Sequence, residues 1–379
     1  MNTKIQSLKI VCLLNMVSQS TIPLENFSKI NDVSIVKHVI SLYQAQSDLK
    51  TFLQNNYPES KQTSHGLSDS DSNNFLFKLL PKYLKLIRKL QPDFVHAHHT
   101  KAVVAGIVSR LFLRIPFFIT IHTNFKHFKL YQRFIWYASC LISDVIICNS
   151  GNTKKALPNS IRASKIHVIY NGVDFDKINQ FVNDHNNNQD FVIGTVCRMV
   201  PAKNLETLLR AFHKFLSASR SNECYLVLIG DGPEKKNLVE LSNELNIQDK
   251  VIFKGEMSRE DVYRELGKLD VFVVSSIYEG FCNAMVEAAG AGVPVVATDI
   301  EPLPEVMGRD NARFFPVGDS QALGAILKEL EADPKERERL GCAAQEHVVS
   351  CYSLEASATK HAELYKSFVQ SRKEKRKNY

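Results

Sequence analysis

Two glutamates stand eight residues apart in the stretch YEGFCNAMVEAAGAGVPVVAT, residues 278–298, which consists mostly of small and apolar residues. Glu279 follows the predicted strand VFVVSSIY and therefore lies in a strand-to-helix turn. Glu287 falls about two turns into a helix that begins near Cys282 or Asn283. A carboxylate carried into apolar packing is costly unless a partner compensates it, so the pair suggests a ligand. A capping glutamate and a solvated one are the alternative that this spacing allows.

The start of the same predicted helix offers backbone donors beside the acidic pair. The N–H groups of Gly280, Phe281 and Cys282 have no partner inside the helix and lie at its positive end. Such an end accommodates phosphate or sugar oxygens. The neighbouring carboxylates can accept hydrogen bonds from hydroxyl groups.

A second candidate site is the segment CRMVPAKNLETLL, which follows the predicted strand FVIGTV. Arg198 and Lys203 lie on either side of Pro201, and the proline with Asn204 and Glu206 is typical of a helix start. Two cations at the carboxyl end of a strand can hold a diphosphate and stabilise it as it leaves. Two solvated surface cations are the alternative.

The elements that must position these residues alternate between strand and helix patterns. Short β-branched runs separated by amphipathic runs predict βαβ units and parallel sheets covered on both faces. We predict an α/β chain of two Rossmann-like domains that face each other across a cleft. The first spans 1–176, a linker covers 177–190 with NDHNNNQD at its centre, and the second spans 191–355. A last helix, about 356–379, is expected to pack back on the first domain.

The net charge of +7 is distributed unevenly along the chain. Residues 1–170 contain 21 Lys or Arg against 8 Asp or Glu, a net of +13, and the remainder contains 26 against 32, a net of −6. A basic half on an otherwise neutral protein indicates an anionic surface as partner, either phospholipid or nucleic acid, and of the two we expect a phospholipid surface and no nucleic acid. Eight cysteines without a C-x-x-C pair argue against zinc clusters and a disulfide framework, and fit a reducing cytosol.

Basic residues recur at helical spacing in two segments of the first half. They alternate with apolar and aromatic residues in FKLLPKYLKLIRKL and NFKHFKLYQRFIWY, and they are Lys78, Lys82, Lys85, Lys89, Lys126, Lys129 and Arg133. This pattern is typical of docking on an anionic inner leaflet, although two solvated helix faces would give the same pattern. No run reaches the ~18 apolar residues of a membrane span. The apolar run 10–17 is interpreted as a first buried strand rather than a signal peptide.

Taken in order, nine segments carry a resemblance to a known family. These segments span roughly residues 92–320 and read PDFVHAHH, PFFITIHT, DVIICNS, KIHVIYNGVD, GTVCRMVPAKNLETLL, LVLIGDGP, VIFKG, EGFCNAMVEAAGAGVPVVATD and LPEV. With these segments in this order, the chain resembles the retaining glycosyltransferases of family 4, group 1, which have the two-domain GT-B architecture. The resemblance implies transfer of a hexose or N-acetylhexosamine from a nucleoside-diphosphate sugar to an acceptor hydroxyl. UDP is the first choice of nucleotide and GDP the second.

The resemblance also implies roles for residues of the second domain. Arg198 and Lys203 would hold the donor diphosphate, Glu279 would face the donor sugar hydroxyls, and Glu287 would hold the ribose hydroxyls. Amides from Gly280 to Asn283, including those of Phe281 and Cys282, would complete the phosphate and sugar cradle.

Two further implied positions complete the expected donor site. The loop from Phe253 to Gly255 would lie near the base, and His122 in TIHT would lie beside the donor sugar. No metal or other cofactor is expected. The acceptor would be a lipid-linked or surface-polysaccharide glycan precursor, and the protein would be cytoplasmic and peripheral on the inner face of the membrane.

One segment departs from the family pattern. A Gly-rich loop usually follows the first strand, but here the position reads LLNMVSQST, without glycine. A reshaped acceptor loop is one interpretation, and a catalytically silent scaffold or lipid-binding subunit is another. A nucleotide-sugar epimerase on the same fold is the rival enzyme. Two short runs could bind metal. For the HAHH run (96–99) a structural or acceptor-side role is favoured, and the D-S-D run (69–71) has no preceding strand to position it.

Overall fold

The chain forms two units, each built on one parallel sheet. The computed structural model describes residues 7–15, 22–58, 60–68, 75–124, 126, 128–182, 190–219 and 223–377. The first unit comprises Met1–Gly172 together with Leu354–Tyr379, and the second comprises Val173–Ser353. The prediction of two parallel α/β domains is confirmed.

The first unit contains seven strands and seven α-helices within the described residues. The strands are β1 Leu8–Leu14, β2 Ile35–Ser41, β3 Gln62–Gly66, β4 Phe94–Ala97, β5 Phe117–Ile121, β6 Val145–Cys148 and β7 Ile166–Val168. The helices are α1 Ile22–Lys29, α2 Gln46–Asn56, α3 Leu80–Leu90, α4 Thr100–Phe112, α5 Leu130–Ile142, α6 Gly151–Lys155 and, after the second unit, α15 Leu354–Lys377. A π-helical turn, Phe75–Leu79, leads into α3.

The sheet of the first unit has the order β3-β2-β1-β4-β5-β6-β7, and its strands are parallel throughout. Central strands such as β5, with the sequence FFITI, are buried at every position. Continuous apolar runs of this kind are expected where helices cover both faces of a sheet. Helices α3, α4 and α5 cover one face, and α1, α2 and α15 cover the other.

The C-terminal helix α15 belongs to the first unit because its side chains complete that unit's core. The Tyr365 ring lies 4.9 Å from the Phe94 ring, centroid to centroid. The Ser357 hydroxyl donates to the Tyr170 carbonyl oxygen at 2.8 Å.

The second unit contains six strands and eight α-helices within the described residues. The strands are β8 Phe191–Val196, β9 Cys224–Ile229, β10 Val251–Gly255, β11 Val271–Val274, β12 Val295–Thr298 and β13 Arg313–Phe315. The helices are α7 Phe175–Phe181, α8 Leu205–Ala218, α9 Lys235–Glu244, α10 Arg259–Leu266, α11 Asn283–Gly290, α12 Leu303–Met307, α13 Ser320–Ala332 and α14 Pro334–Cys351. The sheet order is β10-β9-β8-β11-β12-β13, again parallel throughout.

The units divide a few residues before the predicted boundary at 176, because α7 packs within the second unit. The Lys177 ammonium lies 2.6 Å from the Glu260 carboxylate, and the Arg264 guanidinium lies 4.9 Å from the centre of the Phe181 ring. Residues 177–182 of the predicted linker therefore carry contacts of a folded unit. The polar segment 183–189 lies outside the described residues.

Candidate functional site

The strand order of the second unit brings the two predicted sites to one edge of the sheet. Strand β8 lies between β9 and β11: β9 and β10 are added on one side of it, and β11, β12 and β13 on the other. In open parallel sheets, ligands bind at the carboxyl edge where the strand order reverses. The segment with Arg198 and Lys203 leaves β8 at this edge, and the segment with Glu279 leaves β11 beside it.

The two loops are joined by hydrogen bonds to backbone atoms. The Ser275 hydroxyl donates to the Lys203 carbonyl oxygen at 2.8 Å, and the Ile277 amide donates to the Ala202 carbonyl oxygen at 2.8 Å. Lys203 ends a short 3₁₀ turn that begins at Pro201, and Asn204 then adopts a left-handed conformation before α8. The position of Lys203 therefore depends on both loops.

Lys203 and Glu279 form an ion pair at this junction. The Lys203 ammonium lies 2.5 Å from Glu279 Oε1, and the Ser276 hydroxyl donates to the same oxygen at 2.7 Å. Their side chains are 24% and 10% exposed, respectively. Burial alone would lower the pKa of Lys203, but the adjacent Glu279 charge and its hydrogen bond to the ammonium outweigh burial and raise it. Lys203 is therefore a protonated cation that already has a partner.

Arg198 lies on the same strand-to-helix segment but is exposed. Its guanidinium makes no hydrogen bond or ion pair with another residue in the described part of the chain, and only its carbonyl oxygen accepts, from the Val200 amide at 2.9 Å. The two predicted cations thus differ. Lys203 is held against a carboxylate, while Arg198 keeps its full hydrogen-bonding capacity for a ligand.

The turn after Glu279 leads into α11 through an unusual backbone conformation. Cys282 has a φ of +69° and precedes the helix as its N-cap. The Phe281 ring is buried against the Tyr352 ring, with centroids 5.3 Å apart, so the phenyl group of Phe281 belongs to the core. Any contribution of Phe281 to an anion site therefore comes from its backbone.

Two cysteines line the hollow between the β8 and β11 loops together with Lys203, Ser276 and Glu279. Burial raises the pKa of Cys197 to about 11, and burial together with the Glu279 charge raises the pKa of Cys282. Both thiols are therefore protonated at neutral pH. A thiolate nucleophile is not available at this edge.

Glu287 lies on the buried side of α11, where its carboxylate contacts the Arg259 guanidinium. Arg259, the first residue of α10, places Nη2 2.5 Å from Glu287 Oε1. Its Nε donates to the Tyr263 hydroxyl at 2.5 Å. The pair is separated by 28 residues in the chain, and no sequence pattern indicates it.

The loop from Phe253 to Gly255 lies beside the GDGP turn at the same edge. Gly255 has a φ of +71°, and its carbonyl oxygen accepts from the Gly230 amide at 2.8 Å. Gly230 has a φ of +121°, and a Cβ there would lie 2.1 Å from the Cys197 carbonyl oxygen. A Cβ at Gly232 would lie 2.3 Å from the Met199 carbonyl oxygen, so the GDGP turn can approach the segment that carries Arg198 because both of its glycines lack a side chain.

His122 lies in the first unit, directly after β5, where it is half-buried beside the buried His98. His98 Nδ1 lies 3.4 Å from His122 Nε2, and the His96 ring lies between the Thr120 and Tyr365 hydroxyls, at 2.7 Å from each. Burial lowers the pKa of His122 to about 3, with His99 and His361 contributing.

The two candidate metal-binding runs and the glycine-free segment after β1 receive no support from the described residues. Across the described ranges, no group of three or more His, Cys, Asp or Glu side chains is arranged to hold a metal ion. The D-S-D run (69–71) lies outside the described residues, as do residues 16–21 of the segment that lacks the family's Gly-rich loop.

Two family models match adjacent parts of the chain. Residues 50–177 match "Glycosyltransferase Family 4", and residues 176–347 match "Glycosyl transferases group 1". The chain belongs to the family 4, group 1 glycosyltransferases of the GT-B fold. The resemblance carried by the nine segments is thereby confirmed.

Curated proteins similar to this family member include two bacterial transferases. The lipopolysaccharide core biosynthesis glycosyltransferase LpsD of Rhizobium meliloti is 32% identical over 183 residues, which cover 48% of this chain and 51% of LpsD. An N-acetylgalactosaminyltransferase of Campylobacter jejuni, whose name gives a diphospho-undecaprenol-linked substrate, is 28% identical over 230 residues, 58% of this chain and 60% of that protein. The chain spans about half to three fifths of the length of these relatives.

A solved structure extends the similarity of fold over almost the whole chain. Anabaena Alr3699/HepE, crystallised with UDP and glucose, has a TM-score of 0.78 and 21% sequence identity, and the match covers 95% of this chain and all of that one. At this identity the match establishes the fold of this family member.

Proposed function

We propose that the chain is a retaining glycosyltransferase that moves a hexose or N-acetylhexosamine from a nucleoside-diphosphate sugar to an acceptor hydroxyl. UDP is the preferred nucleotide and GDP the alternative. Family membership supports the reaction class, and the solved relative with bound UDP supports the choice of nucleotide.

The observation that carries the proposal is the cluster of Arg198, Lys203 and Glu279 at the β8–β11 edge. A free guanidinium, a protonated ammonium and a carboxylate there have a net charge of +1, which suits a leaving diphosphate next to a hydroxyl-rich sugar. Arg198 would bind phosphate oxygens directly. Lys203 would bind them while still holding Glu279, whose carboxylate would accept hydrogen bonds from the sugar.

Catalysis in this proposal rests on stabilising the charge of the leaving group. Preorganised donors that meet charge as it develops contribute about 3–4 kcal/mol each in other enzymes. Retention would follow a front-face route in which a departing phosphate oxygen takes the acceptor proton, so no carboxylate or thiolate nucleophile is needed. The amides of Gly280 to Asn283 would add donors to the phosphate and sugar, the Phe253 to Gly255 loop would contact the base, and His122 would lie beside the donor sugar. No metal is required for these steps.

The test is transfer from a panel of UDP- and GDP-sugars to a lipid-linked diphosphate sugar, with the product anomer read by NMR. Arg198→Met and Glu279→Gln are expected to lower kcat at least a hundredfold. If the wild-type protein binds a donor but transfers its sugar to no acceptor, the alternative of a catalytically silent scaffold or lipid-binding subunit would be favoured. Sugar conversion without any acceptor would favour the epimerase, and an inverted anomer would contradict retention.

We further propose that the acceptor is a lipid-linked or surface-polysaccharide precursor, met by a cytoplasmic protein held peripherally on the anionic inner face of the membrane. Names of relatives that act in lipopolysaccharide synthesis or on diphospho-undecaprenol substrates support this class of acceptor. Among the described residues, no helix combines the length and apolarity needed to cross a bilayer.

Helix α5 supplies the structural support for membrane docking, because both of its sides are apolar. Trp136 and Cys140 are buried against the core, whereas the opposite side exposes the large side chains of Leu130, Phe134, Tyr137 and Leu141. These four occupy positions i, i+4, i+7 and i+11 and form one stripe about 16 Å long. A helix that has apolar residues on its outer side as well as on its core side is normally covered on both sides.

The positive charge around α5 indicates that an anionic lipid surface covers its exposed apolar stripe. Residues 75–142, which include α3, α4 and α5, contain 11 Lys or Arg and a single acidic residue, Asp93. Lys78, Lys82, Lys85 and Lys89 are all exposed along α3 and the turn before it, and Lys126, Lys129 and Arg133 are exposed near the start of α5. Each is expected to contribute about 1 kcal/mol near an anionic headgroup layer.

Sedimentation with vesicles tests this part of the proposal. We expect binding to phosphatidylglycerol-containing vesicles, weaker at high salt, and little binding to phosphatidylcholine alone. Phe134→Ser should reduce binding at least tenfold, whereas Val349→Ser, at an exposed apolar position of α14, should not. Vesicle binding that changes neither with salt nor in Phe134→Ser would contradict lipid docking. A wild-type dimer that dissociates in Phe134→Ser would also contradict it, because a second copy of the chain would then cover the apolar stripe.

A further inference from the structure

We propose that Arg259 is a positioning residue that holds the Glu287 carboxylate in place for the two ribose hydroxyls of the nucleotide. This inference rests on the proposed function, because it assumes a ribonucleotide donor. It adds a residue that neither the sequence pattern nor the family resemblance indicated.

The geometry around Arg259 restricts both partners of the ion pair. Arg259 Nη2 lies 2.5 Å from Glu287 Oε1, and the two side chains are only 12% and 11% exposed. Arg259 Nε donates to the Tyr263 hydroxyl at 2.5 Å, and the guanidinium lies 5.6 Å from the centre of the Tyr263 ring. Tyr263 is itself fully buried. The guanidinium therefore has little freedom to leave Glu287.

The helix that carries Glu287 offers it no support of its own. Helix α11 has the sequence NAMVEAAG, so Glu287 is its only charged residue and its neighbours are small or apolar. Burying a carboxylate in such surroundings is costly unless a cation or several hydrogen bonds compensate it. Arg259, which starts the preceding helix α10, supplies that cation from a fixed position.

The arrangement leaves part of the carboxylate available for a ligand. Within the described residues Glu287 makes one hydrogen bond, through Oε1, and none through Oε2. A ribose presents two adjacent hydroxyl donors, which match the open oxygen and the remaining lone pair of the bound one. Because Arg259 fixes the plane of the carboxylate, both hydroxyls can bond without reorganising the site.

A cation that only stabilised the fold would give a different pattern of effects on binding. Loss of a purely structural residue weakens binding of every nucleotide alike, or of none. Loss of a residue that orients Glu287 weakens binding only of nucleotides that carry ribose hydroxyls. Comparison of a nucleotide with its 2′,3′-dideoxy form separates the two roles.

The experiment measures dissociation constants by calorimetry for UDP, GDP and their 2′,3′-dideoxy forms. For the ribonucleotide that wild-type protein binds, Arg259→Met should raise Kd about tenfold and leave Kd of the dideoxy form within twofold. Arg259→Lys, which keeps the charge but loses the planar guanidinium, should raise it about threefold, again for the ribonucleotide alone. Arg264→Met is the matched control, because Arg264 lies on the same helix and pairs with Asp261 rather than Glu287. Its Kd values should equal those of wild type.

The outcomes separate this inference from the proposed reaction. Equal weakening for the ribonucleotide and the dideoxy form, or unchanged binding in Arg259→Met, would overturn the positioning role. If Arg259→Met does not fold, the lysine variant alone decides between the same outcomes. Wild-type protein that binds neither UDP nor GDP would overturn both proposals. Nucleotide binding that depends on the ribose hydroxyls, without any sugar transfer, would support the positioning role of Arg259 and refute the proposed transferase activity.

Discussion

The ion pair between Lys203 and Glu279 predicts a coupled loss of stability that can be measured apart from activity. Lys203→Met removes the ammonium and leaves the Glu279 carboxylate, 10% exposed, with the Ser276 hydroxyl as its remaining partner. Removing one partner of a buried ion pair costs about 3–5 kcal/mol, and an exposed pair is worth about 0–1 kcal/mol. Since Lys203 is 24% exposed, we expect a loss of about 3 kcal/mol.

This loss should appear in the melting of the second unit. For units of about 150–250 residues each kcal/mol lowers Tm by about 2–4 °C, so Lys203→Met should melt about 6–12 °C below wild type. Glu279→Gln should cost less, about 1–2 kcal/mol, because the amide keeps a partner in Ser276 and the lysine can turn to water.

A double-mutant cycle isolates the interaction between the two side chains. The variant with both substitutions should be more stable than the sum of the single effects predicts, with a coupling of about 2 kcal/mol. Thermal and urea unfolding of the four proteins gives this number. If the single effects add to within about 0.5 kcal/mol, the pair does not hold the two loops together and the reasoning is refuted.

Two further predictions concern other parts of the chain. Burial lowers the pKa of His122 to about 3 and of His361 to about 4, so these rings stay neutral in the folded state while their unfolded forms gain protons below about pH 6.5. Their contribution to stability is therefore complete above pH 6.5 and falls as the pH drops towards 4, by up to about 1.4 kcal/mol per histidine and pH unit. Tm should fall between pH 7 and pH 5, less steeply in His361→Gln, and a Tm independent of pH would contradict this assignment. Gly230→Ala should lower stability by more than 2 kcal/mol, because its Cβ would lie 2.1 Å from a carbonyl oxygen. Gly318→Ala is the matched control, since its φ of +77° is also left-handed but its Cβ would meet no atom within 4 Å, and similar losses in both variants would show that only the backbone angle matters.

Much of the fold follows from the sequence because its signals are local. The alternation of β-branched and amphipathic runs reports which residues must be buried on each element, and short connections leave few topologies for a parallel sheet. The segments FVIGTV and VFVV of the sequence correspond to β8 and β11. Their order along the chain, with right-handed crossovers, is enough to predict that the loops after them meet at one edge.

Partners of charged side chains could not be predicted in the same way. Arg198 and Lys203 look equivalent in the sequence, since both lie beside Pro201 after the same strand. In the structure Lys203 is paired and Arg198 is exposed. The difference arises because Glu279, 76 residues further along, enters from the neighbouring strand, and its distance from each cation depends on the path of both loops.

The sequence by itself determined the fold class, the family and the types of residue at the β8–β11 edge, because local periodicity and short ordered motifs carry that information. Only the tertiary structure decided which charges neutralise each other, including the Arg259 and Glu287 pair. It also decided that α5 has an apolar stripe facing outward as well as one facing the core. The physical reason is that Coulomb energy and burial depend on distances between residues far apart in the chain, and side-chain periodicity along one element does not contain those distances.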